Sequence, residues 1–271
     1  MSEDPIPLKA IHHVELWVGN AKQAAYYYRH AFGFSQVAYS GLETGVRDRA
    51  SYVLGQGRIR LVLSTPLGSD NGMTAHQARH GDGVRDVAFH VADTDACFAA
   101  AVERGAKVAS EPRTLKDDNG SVRHAAIHTY GDTLHSFISH DDYDGPFLPG
   151  YRAAAIAGDS VGLRFVDHIV GNVELGKMNV WAGFYAGVLG FSQLQHFSDE
   201  DISTEYSALM SKVMESDNGR IKFPLNEPAE GRRKSQIEEY LDFYDGPGVQ
   251  HIALLTDDII KAIDKLRANG D

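Results

Sequence analysis

The sequence predicts an α+β fold in which one strand–helix–strands module is repeated, and three observations indicate it. The tetrapeptide Gly-Phe-Ser-Gln occurs at 33–36 and again at 190–193, each time after a strand pattern and a helical pattern. In each half, a second apolar strand, starting at Gly83 or Gly248, leads into a further helical segment. Short strand patterns continue these units at residues 49–64, 122–129 and 133–139. We therefore predict β-α-β-β-β modules that are used four times, in two pairs.

The order of elements follows from hydrophobic periodicity. Residues 11–18 alternate as a strand does, and residues 21–32 place apolar side chains at helical spacing. Gly33 is positioned to take the left-handed conformation that ends many helices. The same order returns with a strand at 165–170 and a helix at 178–189. The two halves therefore begin with the same unit.

The second pair of modules contains two further predicted strands and then a charged connection. The strands are expected at 207–214 and 219–228, and a short helix is expected before the strand that begins at Gly248. On pattern alone, the strands could form an ordinary amphipathic hairpin and the connection could be a solvated loop. Both readings remain open at this point.

A change of composition marks the boundary between the halves. The segment from Asp144 to Gly150 is rich in proline and glycine, and the small-residue stretch to Gly162 has no periodicity. We interpret it as a linker. The chain is therefore divided into an N-terminal domain, residues 1–150, and a C-terminal domain, residues 151–271.

Composition excludes several classes of function. An apolar content of 43% and a charged content of 23% are typical of a soluble globular protein. The net charge of −11 argues against nucleic acid as a partner. No apolar run is long enough to cross a membrane, and the acidic N-terminus does not resemble a secretory signal. The single cysteine, Cys97, excludes an intrachain disulfide, so we expect a cytoplasmic location.

Two histidines occupy corresponding places in paired modules. His168 and His251 each lie near the start of an apolar strand, and neutral imidazole is the commonest metal ligand in proteins. Alignment of the halves matches His168 with His13, and His251 with Asp86. The first half therefore lacks the pair, and we expect no metal there. The other histidines of the first half are interpreted as ordinary core or surface residues: His12, His13, His90, His124, His128, His135 and His140.

The paired modules resemble the vicinal oxygen chelate superfamily. The order "NEP" at 226–228, "KSQI" at 234–237 and "GVQHIA" at 248–253 resembles the 4-hydroxyphenylpyruvate dioxygenase family, with similarity over essentially the whole chain. The resemblance implies that each pair of modules curves into a half-barrel, and that the second one is incomplete. It also implies that His168 and His251 are two ligands of Fe(II) in a 2-His-1-carboxylate triad.

The third ligand implied by the resemblance is a glutamate on a late strand of the last module. By analogy with the first half, that strand is expected beyond residue 271, so no glutamate of this chain is assigned to the role. Residues 1–271 alone are therefore expected to bind iron weakly and to be inactive.

The resemblance also implies a substrate and a reaction. Ser211, Asn226, Gln236 and Gln250 match polar residues that line the family's substrate pocket. The expected reaction converts 4-hydroxyphenylpyruvate and dioxygen into homogentisate and carbon dioxide, a step in tyrosine and phenylalanine catabolism. A homo-oligomer, either a dimer or a tetramer, is expected.

Three alternatives remain. A 4-hydroxymandelate synthase would act on the same substrate but would hydroxylate the benzylic carbon. An extradiol ring-cleaving dioxygenase would use a similar triad but should lack "KSQI". A metal-free binding protein of the same fold would belong to a different class, and paired ligand histidines would serve no purpose in it.

Overall fold

The computed structural model describes residues 6–140, 142–197, 209–228 and 234–270. The first half contains nine strands and three helices within these ranges, and a short 3-10 turn at Leu42–Thr44. Its elements are β1 (Leu8–Trp17), α1 (Ala21–His30), β2 (Ser35–Ser40), β3 (Arg49–Gln56), β4 (Ile59–Pro66), α2 (Gly72–His80), β5 (Gly83–Val91), α3 (Thr94–Glu103), β6 (Val108–Asp117), β7 (Gly120–His128), β8 (Leu134–Ser139) and β9 (Arg152–Ile156).

The second half repeats the same order of strands and helices in its described part. Its elements are β10 (Leu163–Asn172), α4 (Met178–Leu189), β11 (Ser192–Phe197), β12 (Leu209–Glu215), β13 (Lys222–Pro228), α5 (Gln236–Tyr244), β14 (Gly248–Thr256) and α6 (Ile259–Ala268). Residues 207 and 208, which the sequence assigned to the start of a strand, lie outside the described residues.

Sheet topology confirms the repeated module. The first sheet has the order β6-β7-β8-β5-β1-β4-β3-β2-β9, so its two modules meet at the β1–β5 pair. The second sheet has the order β11-β12-β13-β10-β14, and β10 and β14 form the equivalent pair. In both sheets the first strand of a module runs parallel to the module's last strand, β4 or β13. The predicted α+β fold of paired half-barrel modules is therefore confirmed.

The helix termini explain why the modules begin and end where they do. The Asp93 and Asp258 side chains cap α3 and α6 by accepting hydrogen bonds from backbone N–H groups. Gly190 ends α4 with a φ of 74°, and Gly33 follows α1 with a φ of 69°. At Gly33 a Cβ atom would also come within 2.0 Å of the Asp159 carbonyl oxygen. Both the positive φ and this close approach therefore require glycine.

The helices pack between the two sheets and give the halves a shared core. Phe223, on β13 of the second half, is fully buried and packs against Phe89 of the first half, with ring centroids 6.1 Å apart. Tyr185 on α4 is also fully buried, and its hydroxyl lies 2.8 Å from His135 Nε2 on β8. The largest buried cluster thus contains residues from both halves.

Part of the segment interpreted as a linker forms a strand, which the sequence analysis did not predict. Residues 152–156 form β9, which pairs with the free edge of β2. Phe147 and Tyr151 pack with Ala38, Val53 and Val62 against the concave face of the first sheet. The proline and glycine content concealed the strand, because β9 is short and its small side chains are mostly exposed.

The sequence analysis gave no range for β2, β6 or β11, and it missed α2. Helix α2 lies between β4 and β5, and β6 precedes β7. Both are polar and weakly periodic, since β6 has no buried residue and α2 buries three side chains of mixed polarity, Met73, His76 and His80. Among the described residues, the helices are too short or too polar to span a membrane.

Candidate metal and substrate site

The site is built on the antiparallel pair β10 and β14. His168 lies opposite Ala253, and His251 lies opposite Val170, so the histidines are diagonal neighbours on the same face of the sheet. Their ring centroids are 5.7 Å apart and the rings are nearly perpendicular, at 74°. Their sharing of one metal ion stays a prediction.

Each histidine is held by the residue that precedes it. Asp167 and Gln250 are the extra residues of two bulges, where the register of the β10–β14 ladder shifts. The Nδ1 atom of His168 is 2.8 Å from Asp167 Oδ2, and Nδ1 of His251 is 2.9 Å from Gln250 Oε1. Both oxygens can only accept, so each Nδ1 donates its hydrogen. The Nε2 lone pairs therefore remain available to a metal.

Burial and a neighbouring ring keep His251 in the form that binds metals. The pKa of His251 is lowered, first because the ring is partly removed from water and second because His168 lies nearby. A lowered pKa leaves the imidazole neutral at physiological pH, and only a neutral imidazole coordinates a metal. The chemistry of these two donors fits a divalent iron site.

A row of polar side chains crosses the sheet beside the histidines. Ser211 on β12 lies opposite Asn226 on β13, and Asn226 lies opposite Asn172 on β10. Residues directly opposite each other on neighbouring strands point to the same face of a sheet. Every second residue of one strand also points to the same face, so Asn172, four residues after His168 on β10, lies on the same side as His168. Ser211 and Asn226, two of the predicted substrate residues, are therefore on the same face as the candidate metal ligands.

Asn172 was missed by sequence reasoning. Its side chain is fully buried, and neither its amide nitrogen nor its amide oxygen has a hydrogen-bond partner among the described residues. An unpaired buried polar group costs about 1–3 kcal/mol, which a polar ligand would recover. The sequence did contain one indication that Asn172 belongs to the site. It lies four residues after His168 in the same strand, and this spacing places both side chains on one face.

The other two predicted substrate residues lie in different surroundings. Gln250 occupies the β14 bulge and acts as the partner of His251 Nδ1. Gln236 is the first residue of α5 and is exposed. Its neighbour Ser235 caps the helix, because its hydroxyl accepts from the Glu238 N–H while Glu238 accepts from the Ser235 N–H. Ser235 of the "KSQI" motif therefore stabilises the start of α5.

The "NEP" motif is divided between two faces. Asn226 belongs to the polar row, whereas Glu227 is buried on the helix side and accepts a hydrogen bond from the Met178 N–H, at 2.9 Å. Met178 is the first residue of α4, whose N-cap residue Lys177 supplies no side-chain hydrogen bond. Glu227 therefore caps α4 from the neighbouring strand.

The first half repeats the register without the ligand pair. His13 lies opposite Ala88, and Asp86 lies opposite Glu15, so Asp86 stands where His251 stands in the second half. The Asp86 carboxylate accepts hydrogen bonds from the Ser136 N–H, at 3.0 Å, and from the Ser136 hydroxyl, at 2.5 Å. Burial raises the pKa of Asp86 to about 7.

The concave face of the first sheet is also filled. The Phe147 ring packs edge-on against His13, with centroids 5.2 Å apart, and Tyr151 packs beside Phe147. Burial lowers the pKa of His13 to about 3, so the ring is neutral. A substrate cannot occupy the space that these aromatic rings fill. The second sheet is therefore the better candidate for the functional site.

Comparison with known proteins agrees with this geometry. Residues 12–122 and 166–271 each match a model of the Glyoxalase/Bleomycin resistance protein/Dioxygenase superfamily. The 4-hydroxyphenylpyruvate dioxygenase of Aspergillus fumigatus is 48% identical over 97% of this chain and 70% of that protein. The enzyme of that name from Danio rerio is 47% identical over 96% of this chain and 67% of that protein.

Among solved structures, a triple mutant of 4-hydroxymandelate synthase from Streptomyces coelicolor superposes with a TM-score of 0.88. It is 29% identical, and the match covers 97% of this chain and 76% of that one.

Proposed function

Because this chain belongs to the 4-hydroxyphenylpyruvate dioxygenase family, we propose that its second half binds Fe(II) through His168 and His251 and converts 4-hydroxyphenylpyruvate and O₂ into homogentisate and CO₂. The observation that carries the proposal is the pair of Nδ1 hydrogen bonds, to Asp167 and to Gln250, which leaves the Nε2 lone pair of each histidine available to a metal. The third position of the triad is not assigned to any residue of the chain.

The protein residues bind and orient the reactants. Bound Fe(II) would supply the activation of dioxygen and the decarboxylation chemistry. Ser211, Asn226 and Asn172 offer hydroxyl and amide groups, which can hydrogen-bond a phenol or a 2-oxo acid without adding a charge that competes for the metal. Gln236 is proposed to contribute in the same way from the start of α5.

The 4-hydroxymandelate synthase alternative is less well supported. That relative is 29% identical, whereas the dioxygenases reach 48% over a similar share of the chain. We further propose a cytoplasmic homo-oligomer, a dimer or a tetramer, that acts in tyrosine and phenylalanine catabolism. The single cysteine, Cys97, is buried and fits a reducing compartment.

Product analysis tests the proposal. The complete gene product is loaded with Fe(II) under anaerobic conditions and then given 4-hydroxyphenylpyruvate and air, and the products are separated by chromatography. Homogentisate is expected, and neither His168→Ala nor His251→Ala should form it. Formation of 4-hydroxymandelate would favour the synthase, and absence of turnover with no retained iron would favour a metal-free binding protein.

A further inference from the structure

A second group of possible metal ligands lies in the first half, away from the site on β10 and β14. His76 and His80 are one helical turn apart on α2, and Asp132 lies in the turn between β7 and β8. One donor atom from each residue lies within 4.8 Å of the others, and in the described part of the chain this is the one group of three such residues. Residues four apart on a helix share a face, as ligands to one ion must.

The contacts of His80 call for a proton or a metal ion beside Asp132. Its Nδ1 contacts the Tyr244 carbonyl oxygen, which can only accept, so Nδ1 carries the hydrogen. In the neutral ring Nε2 is then an acceptor, and it lies 2.8 Å from Asp132 Oδ2, which is also an acceptor. Two acceptors this close need either a proton or a metal ion between them. A carbonyl bound to Nδ1–H is the usual outer partner of a metal-ligating histidine.

His76 supplies the second observation. Its side chain is 6% exposed, and its Nε2 atom is buried with no hydrogen-bond partner among the described residues. A proton shared by His80 and Asp132 would leave this nitrogen unsatisfied, and an unpaired buried polar atom destabilises the fold. A metal ion held by all three residues would satisfy both histidines and the carboxylate.

Two arginines lie near the proposed site, and two aspartates balance their charge. Arg79 lies 3.4 Å from the Asp132 carboxylate but pairs more closely with Asp245, at 2.6 Å. The Arg85 guanidinium donates to the Asp132 carbonyl oxygen and packs over the Trp17 ring. Two arginines thus face two aspartates, so the region is close to neutral before an ion binds.

We propose that His76, His80 and Asp132 form a second metal site, which takes Zn(II). Two imidazoles and one carboxylate are a usual ligand set for this ion, with water in the fourth position. Ligands about 2.1 Å from zinc lie roughly 3.4 Å apart, so closing the site requires a shift of about 1 Å. The proposal is independent of the reaction on the second sheet.

The proposed zinc site lies against helix α5 of the second half. The His80 ring stacks on the Tyr244 ring of α5, with centroids 4.3 Å apart, and its Nδ1 is bound to the same residue's carbonyl. Because an ion that binds only the folded state stabilises it, Zn(II) should raise the unfolding temperature.

The test uses protein from which the other site has been removed by His168→Ala and His251→Ala. Isothermal titration with Zn(II) should give one equivalent, and Zn-edge X-ray absorption should show two imidazole nitrogens. His76→Ala should weaken binding by about 100-fold or more, since even the loss of an outer partner costs 10–100-fold. His30→Ala, at the exposed end of α1, is the matched control and should bind as its parent does.

Asp132→Asn retains the size of the side chain, so it provides a second test of the zinc site if His76→Ala does not fold. It should also weaken Zn(II) binding. The proposal is overturned if the parent protein binds no Zn(II), if its spectrum shows no imidazole ligands, or if both variants bind Zn(II) as tightly as the parent. The first of these results would assign a shared proton to His80 and Asp132.

Discussion

At the scale of the residue, the candidate site depends on bulges as much as on ligands. Each bulge inserts one residue, Asp167 or Gln250, immediately before a histidine, and that residue's side chain then fixes the histidine's Nδ1. The sequence revealed both histidines, because they begin matched apolar runs. It did not reveal the role of Asp167, because a bulge has no signature in the polar–apolar pattern.

Asp167→Ala tests this positioning role. Removal of the carboxylate frees the His168 ring to rotate and to change tautomer, so Fe(II) affinity should fall by about 10–100-fold. Anaerobic Fe(II) titration measures the effect, and Asp118→Ala, an exposed substitution in the β6–β7 turn, is the control. Affinity within twofold of the parent would show that Asp167 does not position the ring.

Asp86→Asn tests the divergence of the first half. The folded-state pKa of Asp86 is raised from 3.8 to about 7, chiefly by burial, so the folded state retains a proton that the unfolded chain loses. The aspartate therefore costs stability as pH rises through that window. Asparagine keeps the shape and both bonds to Ser136 but does not ionise.

The stability gained by Asp86→Asn should consequently grow between pH 5 and pH 8, by on the order of 2 kcal/mol. Urea unfolding at several pH values measures it, with Asp142→Asn as a surface control. A gain that does not change with pH would contradict the raised pKa.

At the scale of the element, hydrophobic periodicity predicted the main helices and strands of each module, but it did not indicate the elements that were missed. The α4 range was predicted to the residue, because its glycine terminus and apolar face are both strong signals. The strand β9 was missed, because its pairing with β2 is a long-range contact that local composition cannot indicate. Similarly, the function of Glu227 depends on a helix almost fifty residues earlier in the chain.

Glu227→Ala tests the cap that β13 provides for α4. The loss of this hydrogen bond leaves a helix N-terminus without a side-chain acceptor, and the free energy of unfolding should fall by about 1–2 kcal/mol. Thermal and urea unfolding measure the change, and Glu174→Ala, an exposed substitution just before α4, should have little effect. Equal effects of the two substitutions would show that the contact is not a cap.

At the scale of the whole molecule, the two halves have the same fold but use their concave faces differently. The first face is filled by Phe147 and Tyr151, and its buried histidines are kept neutral. The second face carries the paired histidines and the polar row. The sequence predicted the duplication and the loss of the histidine pair in the first half, but not the aromatic side chains that occupy its concave face.

The buried histidines predict the pH dependence of the whole fold. Burial lowers the pKa of His13 to about 3, and of His124 and His135 to about 4. Below the unfolded value of about 6.5, the unfolded chain binds protons that the folded protein excludes, so stability is lost as pH falls. Three such groups outweigh the opposite effect of Asp86, and the unfolding temperature should be lower at pH 5 than at pH 7. Calorimetry that shows equal or higher stability at pH 5 would contradict this.

The central claim is that His168 and His251 together hold one iron ion, and equilibrium binding of Fe(II) tests it most directly. The complete gene product is dialysed anaerobically against Fe(II) in a His76→Ala background, so that the second proposed site does not contribute. One equivalent should bind, either His168→Ala or His251→Ala should abolish tight binding, and His30→Ala should not. Retention of the full equivalent by either of the two ligand variants would contradict the claim.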